Sequence, residues 1–163
     1  MLDELHKTQL VPFSDEDDYT PDCSYAVVDI NKDGIPELLT YVDCGGDYLE
    51  VLYTLKNNKP VELSWYSIRA CARFAADGTI YFRGSGGAGS SCIASLKLKP
   101  GASELTQLTI AVREVWGSED DTVYYQASGE EKQSITEEEF WELCEKYTNP
   151  PNPMPLTFIP VEQ

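Results

Sequence analysis

The most informative segment of the chain is Asp29-Ile-Asn-Lys-Asp-Gly-Ile-Pro-Glu37. Oxygen-bearing side chains stand at the alternate positions Asp29, Asn31 and Asp33, and a glycine follows at position 34. Gly34 suits a sharp bend, because glycine adopts backbone angles that a Cβ disfavours. The stretch is therefore predicted to be a tight loop in which several oxygen atoms converge.

These oxygen atoms form the kind of ligand set that a hard cation prefers. Calcium is bound by carboxylates, side-chain amides and backbone carbonyls. We therefore expect a structural Ca²⁺ held by the side chains of Asp29, Asn31, Asp33 and Glu37 and by the backbone carbonyl of Ile35. The alternative is a turn rich in Asn, Asp and Gly that binds no metal.

The residues on both sides of the loop predict strands. Ser24-Tyr-Ala-Val-Val-Asp-Ile30 precedes it and Glu37-Leu-Leu-Thr-Tyr-Val42 follows, and both are short and rich in β-branched, aromatic or aliphatic residues. An EF-hand would need flanking helices and a glutamate at the twelfth loop position, which here is Thr40. The sequence therefore indicates a strand–loop–strand motif.

Further strand-like segments follow one another up to about Gln126, separated by short turns. The turn signals are Lys56-Asn-Asn-Lys59, Asp77-Gly78 and Pro100-Gly101. The segment from Val61 to Ala75 is long for one strand, so we expect it to bend or break near Ser67. Short connections imply antiparallel neighbours, which predicts a mainly β (α+β) fold with an antiparallel β-meander of about seven to eight strands over residues 23–127.

The two ends of the chain differ from this meander. Residues 1–22 are predicted to form a short N-terminal helix and an acidic loop. Thr136 and Glu139 form a capping box that begins a helix over 134–148, and Phe140, Leu143, Cys144 and Tyr147 recur at helical spacing, so this helix is expected to pack on the sheet. Residues 149–163 are rich in proline and should form an extended tail, with an edge strand near its end. The whole chain, 1–163, is predicted to be a single domain.

Size and charge restrict the classes of partner. The chain has 163 residues and a formal net charge of −16. This acidity argues against nucleic acid and anionic membrane surfaces as partners. No apolar stretch is long enough to cross a membrane, and the first residues lack the pattern of a signal peptide. Calcium sites of this type belong mostly outside cells, so we expect a secreted protein whose leader has been removed.

The five cysteines lie far apart, with no Cys-x-x-Cys pair, and His6 is the only histidine, so a zinc site is not expected. Cys71 and Cys92 fall in successive strand-like segments and are candidates for a disulfide. Unpaired buried thiols are the alternative.

No arrangement of residues predicts catalysis. The segment from Gly84 to Ser91 lacks the Gly-Lys-Ser/Thr ending of a phosphate-binding loop. A nucleophilic triad would have to use His6, and no pair of carboxylates stands out for glycoside hydrolysis. No catalytic residue is therefore assigned. The many Trp and Tyr residues are expected to serve as core and cross-strand partners, with a sugar platform as the alternative.

Three segments carry a family resemblance: 25–39, 84–91 and 135–140. In this order they resemble a group of secreted or lipid-anchored proteins of Gram-positive gut bacteria, and the central loop is similar to FG-GAP and related calcium loops. The resemblance covers residue 25 to about residue 163. It implies an extracellular, calcium-stabilised β domain and no reaction.

The sequence thus predicts an extracellular or envelope-associated calcium-binding β domain that acts as a non-enzymatic binding module. Its expected ligand is a protein or a glycan. One alternative is a hydrolase acting on a cell-wall or dietary polysaccharide. The other is a β domain with no metal.

Overall fold

The computed structural model describes residues 22–43, 48–67, 69–87, 89–118 and 121–161. The predicted N-terminal helix and the acidic loop at 14–18 lie outside these residues, as does Cys44.

The described chain forms one antiparallel sheet of eleven strands and one helix. The first ten strands lie side by side across the sheet in sequence order, and the last strand of the chain pairs with the first, at the edge of the sheet. The strands are β1 (Cys23–Val28), β2 (Glu37–Asp43), β3 (Tyr48–Lys56), β4 (Lys59–Ser67), β5 (Ala70–Phe74), β6 (Thr79–Gly87), β7 (Ser90–Leu98), β8 (Leu105–Val115), β9 (Thr122–Ser128), β10 (Glu131–Ser134) and β11 (Ile159–Pro160). The helix, α1, spans Glu137–Thr148.

The mainly β, antiparallel meander is confirmed, but the predicted strand number of about seven to eight is wrong. The segment 61–75 holds the end of β4 and all of β5, as the expected break near Ser67 requires. The strand β10 (Glu131–Ser134) is exposed at every position and carries no apolar alternation that could reveal it. The edge strand β11 has only two residues, Ile159 and Pro160.

The predicted turns form as their residues dictate. Asn57 and Asn58 both have positive φ, at 53° and 60°, which suits the two-residue hairpin between β3 and β4. Gly78, with φ 81°, turns the chain from β5 to β6, and Gly101, with φ 69°, lies between β7 and β8.

The sheet curls so that its two halves face each other. The backbone N–H of Gly101, in the β7–β8 connection, donates to Asp33 in the β1–β2 loop at 2.8 Å. In a flat sheet the nearest of these strands, β2 and β7, would lie about 24 Å apart. Lys56 and Ser103 also join the β3–β4 turn to the same connection, at 3.2 Å. The curl occurs where β4 and β5 share a single pair, Ser67 with Ala70.

The largest core cluster fills the space between the two halves. It combines buried residues from β2–β4 with buried residues from β5 and β6, and also includes Ile30 of the 29–37 loop; the members are Ile30, Leu39, Leu52, Tyr66, Ala72, Phe74 and Ile80. The loop is therefore anchored in the core by its second residue.

The helix α1 covers the outer face of the second half of the sheet. Its Phe140, Cys144 and Tyr147 are buried and cluster with Ile93 and Ala111, as the helical spacing predicted. The predicted capping box is present: the Thr136 side chain accepts from the Glu139 amide, and the Glu139 carboxylate accepts from the Thr136 amide.

The proposed disulfide between Cys71 and Cys92 is not formed, and both thiols are free. The reason lies in the strand order. Cys71 on β5 pairs with Arg83, and Cys92 on β7 pairs with Gly84, so β6 separates the two cysteines. Two strand spacings come to about 9.6 Å, beyond the Cα separation that a disulfide spans.

Candidate functional site

The 29–37 loop joins β1 to β2 and has a sharply bent backbone. The strands close on it at the pair Val28 and Glu37. Within the loop, Lys32 has φ 58° and Gly34 has φ 84°, both in the left-handed region. Gly34 thus occupies a bend that favours glycine, as its position in the sequence predicted.

Asp29 and Asn31 turn their side-chain oxygens toward the backbone of the bend. The two carboxylate oxygens of Asp29 accept from the amides of Asp33 and Gly34, at 3.1 and 2.9 Å. The amide oxygen of Asn31 also accepts from the Asp33 amide, at 3.0 Å. A carboxylate has about four lone-pair sites, so these bonds leave acceptor capacity on both side chains.

Asp33 connects the loop to the opposite half of the sheet. One of its oxygens accepts from the Ile35 amide at 2.8 Å, and the other accepts from the Gly101 amide at 2.8 Å and from the side-chain amide of Asn31 at 3.0 Å. The backbone hydrogen bonds from Gly101 and Ile35 hold the pKa of Asp33 below its ordinary value, so this group stays ionised.

Glu37 lies on the inner side of the loop and is fully buried. Its carboxylate accepts from the Ile30 amide at 2.9 Å and from the Thr54 hydroxyl at 3.0 Å. Burial raises the pKa of Glu37, an effect that these two hydrogen bonds oppose. The carboxylates of Asp33 and Asp29 also raise this pKa, which places the three acids within electrostatic range of one another.

The structure therefore gathers Asp29, Asn31 and Asp33 around one bend and places Glu37 behind it. Within the described ranges, no group of three or more His, Cys, Asp or Glu side chains is arranged to hold a metal ion. Ile35, expected to contribute a carbonyl, lies at the exposed side of the loop with 38% of its surface accessible.

Two partners of the loop were not foreseen from the sequence. Thr54 reaches Glu37 from β3, and Gly101 reaches Asp33 from the β7–β8 connection. Pro100-Gly101 was identified as a turn, but only the curl of the sheet brings it against the loop. Nothing in the sequence indicates that Thr54 contacts Glu37, because this contact depends on the pairing of β3 with β2.

The expected core role of the aromatic residues is found at Tyr66, which is fully buried, and at Tyr53, which is nearly so, but not at Trp65 and Trp116, which are 56% and 66% exposed. Among the described residues, none is a hydrogen-bond partner of the buried Tyr66 hydroxyl, although Ser64 lies beside it. Desolvation raises the pKa of Tyr66 to about 12.

Two carboxylates, the combination that glycoside hydrolysis uses, line one of the cavities. Glu139 and Glu142 line a surface cavity of about 420 Å³ between α1 and the β9–β10 hairpin. Glu139, however, is bound to the Thr136 amide and hydroxyl in the capping box, and these bonds lower the pKa of Glu139. A general acid needs a raised pKa, so this pair does not have the character of a catalytic dyad.

The described residues of the glycine-rich segment, 84–87 and 89–91, extend the hairpin of β6 and β7. Gly84 is buried against Phe82, where an added Cβ would come within 2.8 Å of the ring.

Among the described residues, no helix is long and apolar enough to cross a membrane.

Comparison with protein-family models, with curated proteins and with solved structures finds no match for this chain.

Proposed function

We propose that this chain is an extracellular or envelope-associated binding domain without catalytic activity, and that a structural Ca²⁺ is bound in the 29–37 loop. The observation that carries the proposal is the gathering of Asp29, Asn31 and Asp33 around a single bend, with their oxygens turned to its amides. Two carboxylates and an amide oxygen concentrated in five residues are a donor set suited to a hard cation.

The oxygens of the loop retain the capacity to bind an ion. Each oxygen of Asp29 accepts one hydrogen bond, and so does the amide oxygen of Asn31. Ile35, whose carbonyl is the fifth proposed ligand, is an exposed residue of the same loop. In the proposed site these groups hold the ion from the solvent side, and Asp33 ties it to the β7–β8 connection.

Glu37 completes the proposed ligand set through the lone pairs that the Ile30 amide and the Thr54 hydroxyl leave free. Burial and the negative charges of Asp33 and Asp29 raise the pKa of Glu37, because both disfavour its ionised form. A cation near this carboxylate would oppose both effects. Calcium binding would therefore relieve charge repulsion within the loop and add its binding free energy to folding.

The proposed role of the ion is to fix the curl of the sheet. The 29–37 loop contacts the opposite half through Asp33 and Gly101, and through Asn31 and the Lys99 carbonyl at 3.5 Å. A rigid loop would hold the two halves in register and present their rims to a protein or glycan ligand. Extracellular calcium is abundant enough to saturate sites with dissociation constants in the range of about 10⁻⁴–10⁻³ M, which favours a location outside the cell.

Thermal unfolding after chelation, then with added Ca²⁺ or Mg²⁺, tests the proposal. A ligand at about 100 times its dissociation constant stabilises the native state by about 2.7 kcal/mol. For a chain of this size that corresponds to a rise in melting temperature of about 5–11 °C. We expect this rise with Ca²⁺ and a much smaller one with Mg²⁺, which demands octahedral geometry and keeps its water ligands.

Substitutions show where the ion binds. Asp29→Ala and Asp33→Ala should abolish the calcium-dependent rise. Asp77→Ala is the matched control, because Asp77 also accepts a turn amide, that of Thr79 at 2.9 Å, but belongs to a different hairpin. Equal melting temperatures of the wild type in chelator and in calcium would contradict the proposal and leave the loop as a metal-free turn.

A further inference from the structure

A second site is suggested by the gap that opens where β4 and β5 separate. After the pair Ser67 and Ala70, the two strands no longer pair. The C-terminal segment takes the vacated place along β5: the Met154 amide donates to the Phe74 carbonyl at 2.7 Å, and the Ala76 amide donates to the Asn152 carbonyl at 2.8 Å. These bonds fix the segment in place, so the space between it and β3 has preformed walls.

This space is a cavity of about 370 Å³. Such a volume lies at the lower end of the range for small-molecule sites, which is about 300–1,000 Å³. Its apolar walls come from the core and from the C-terminal segment and include Leu39, Phe74, Met154, Leu156 and Phe158. The Phe158 ring is further held by an edge contact with Tyr41, at 6.2 Å between ring centroids.

One wall of the cavity carries the carboxylate of Glu50. Glu50 is on β3, two residues before the buried Leu52, and therefore lies on the face that looks into the core. It is half-buried, and no hydrogen bond to its carboxylate is present within the described residues. Desolvation raises the pKa of Glu50, while the positive charge of Arg73 acts to lower it.

The lining also includes hydrogen-bond donors from β5, among them the exposed side chain of Arg73. The guanidinium of Arg73 donates through Nη1 to the Ala72 carbonyl at 2.9 Å, which leaves its other donors available. The Ala75 amide donates to the Thr79 carbonyl of β6, whereas the Phe74 carbonyl, on the opposite edge of β5, accepts from the Met154 amide. By the alternation of an antiparallel strand, the amide and carbonyl of Ala72 also point away from β6, toward the cavity.

We propose that this cavity binds a free amino acid with an apolar or aromatic side chain. Glu50 receives the ammonium group, Arg73 and the Ala72 amide receive the carboxylate, and the apolar walls enclose the side chain. A carboxylate and a guanidinium at one cavity match a zwitterion, because each charged end of the amino acid gains a charge-assisted hydrogen bond. A simple amine loses the bond to Arg73 and a simple acid loses the bond to the half-buried Glu50, so both analogues should bind more weakly. This site is separate from the calcium loop and does not depend on it.

The test is isothermal titration of the unmodified chain with L-phenylalanine, phenethylamine and 3-phenylpropionate, in calcium and in chelator. We expect L-phenylalanine to bind in both conditions, and each analogue to bind about 10-fold more weakly or worse. Equal binding of either analogue overturns the proposal, as does the absence of binding by L-phenylalanine at about 10 mM. Because the analogue series uses the native chain, its result does not depend on the folding of a variant.

Variants locate the site. Glu50→Gln and Arg73→Gln should each weaken L-phenylalanine binding about 10-fold or more. The matched controls are Glu62→Gln and Arg69→Gln, because neither residue lines the cavity and Arg69 is exposed, as Arg73 is. Circular dichroism establishes that each variant is folded. Unchanged affinity in folded Glu50→Gln or folded Arg73→Gln overturns the proposal.

Discussion

The hydrogen bond between Thr54 and Glu37 is predicted to contribute strongly to stability, and Thr54→Val removes it with little change in shape. The Thr54 hydroxyl donates to a fully buried carboxylate at 3.0 Å. Hydrogen bonds to charged groups contribute about 1.5–3 kcal/mol. We therefore expect Thr54→Val to reduce the free energy of unfolding by about that amount, and the melting temperature by about 3–12 °C.

Thr40→Val provides a matched control for this substitution. Thr40 lies on the neighbouring strand β2 and is 8% exposed, compared with 5% for Thr54. Its hydroxyl donates to the neutral carbonyl of Val51 at the long distance of 3.4 Å. Such a bond is weak, and the added methyl group gains burial, so we expect Thr40→Val to change the free energy of unfolding by less than about 0.5 kcal/mol.

Urea unfolding at pH 7 in chelator measures both variants and keeps any bound calcium out of the comparison. The loss in Thr54→Val should diminish at a pH low enough to protonate Glu37, because a neutral acid accepts a weaker hydrogen bond. Equal and small losses in the two variants would show that the hydrogen bond from Thr54 to Glu37 does not stabilise the fold.

Three further predictions address the turn, the core and the pH dependence. Gly78 has φ 81°, and an added Cβ would lie 2.5 Å from the Ile30 carbonyl oxygen, so Gly78→Ala should cost about 2–5 kcal/mol in urea unfolding. Gly101→Ala, at φ 69° in open space, should cost only about 1–2 kcal/mol, and similar losses in the two variants would contradict this. Tyr66→Phe removes a buried hydroxyl without a partner, so its melting temperature should equal or exceed that of the wild type; a clear decrease would reveal a bond that the hydroxyl makes. Burial raises the pKa of Glu37 in the folded state above its ordinary value of 4.5. The stabilisation that this group contributes is therefore fully present below pH 4.5 and is lost as the pH rises through the folded-state pKa. In chelator, Glu37→Gln should therefore gain stability relative to the wild type as the pH rises, and a constant difference across the pH range would show that Glu37 does not titrate as described.

The local features of the fold could be predicted from the sequence because short-range chemistry determines them. The glycine at position 34, the asparagines at 57 and 58 and the capping box at 136–139 each adopt the conformation that their residues favour. The strand β10 could not be predicted, because its pairing with β9 creates it and no apolar pattern marks it, whereas the edge strand expected near the end of the tail forms as the two-residue β11.

The curl of the sheet lay beyond sequence reasoning because it depends on contacts between distant residues. Asp33 and Gly101 are 68 positions apart, and nothing near either residue indicates the other. The same limit applies to Glu37. Its spacing suggested a calcium ligand, whereas its burial and its bond to Thr54 follow from the register of β2 and β3.

The cavity beside β5 could not be predicted from the sequence either. The prolines after α1 indicated an extended tail, but its place beside Phe74 depends on the separation of β4 from β5. Glu50 and Arg73 gain their significance from that arrangement alone.

Calorimetric titration of the chelator-stripped chain with Ca²⁺ measures ion binding in the 29–37 loop. We expect one ion to bind per chain, and binding to be lost in the Asp29→Ala/Asp33→Ala double variant and retained in Asp77→Ala. A wild type that binds no calcium, or a double variant that binds it with unchanged affinity, would show that the loop is not a calcium site.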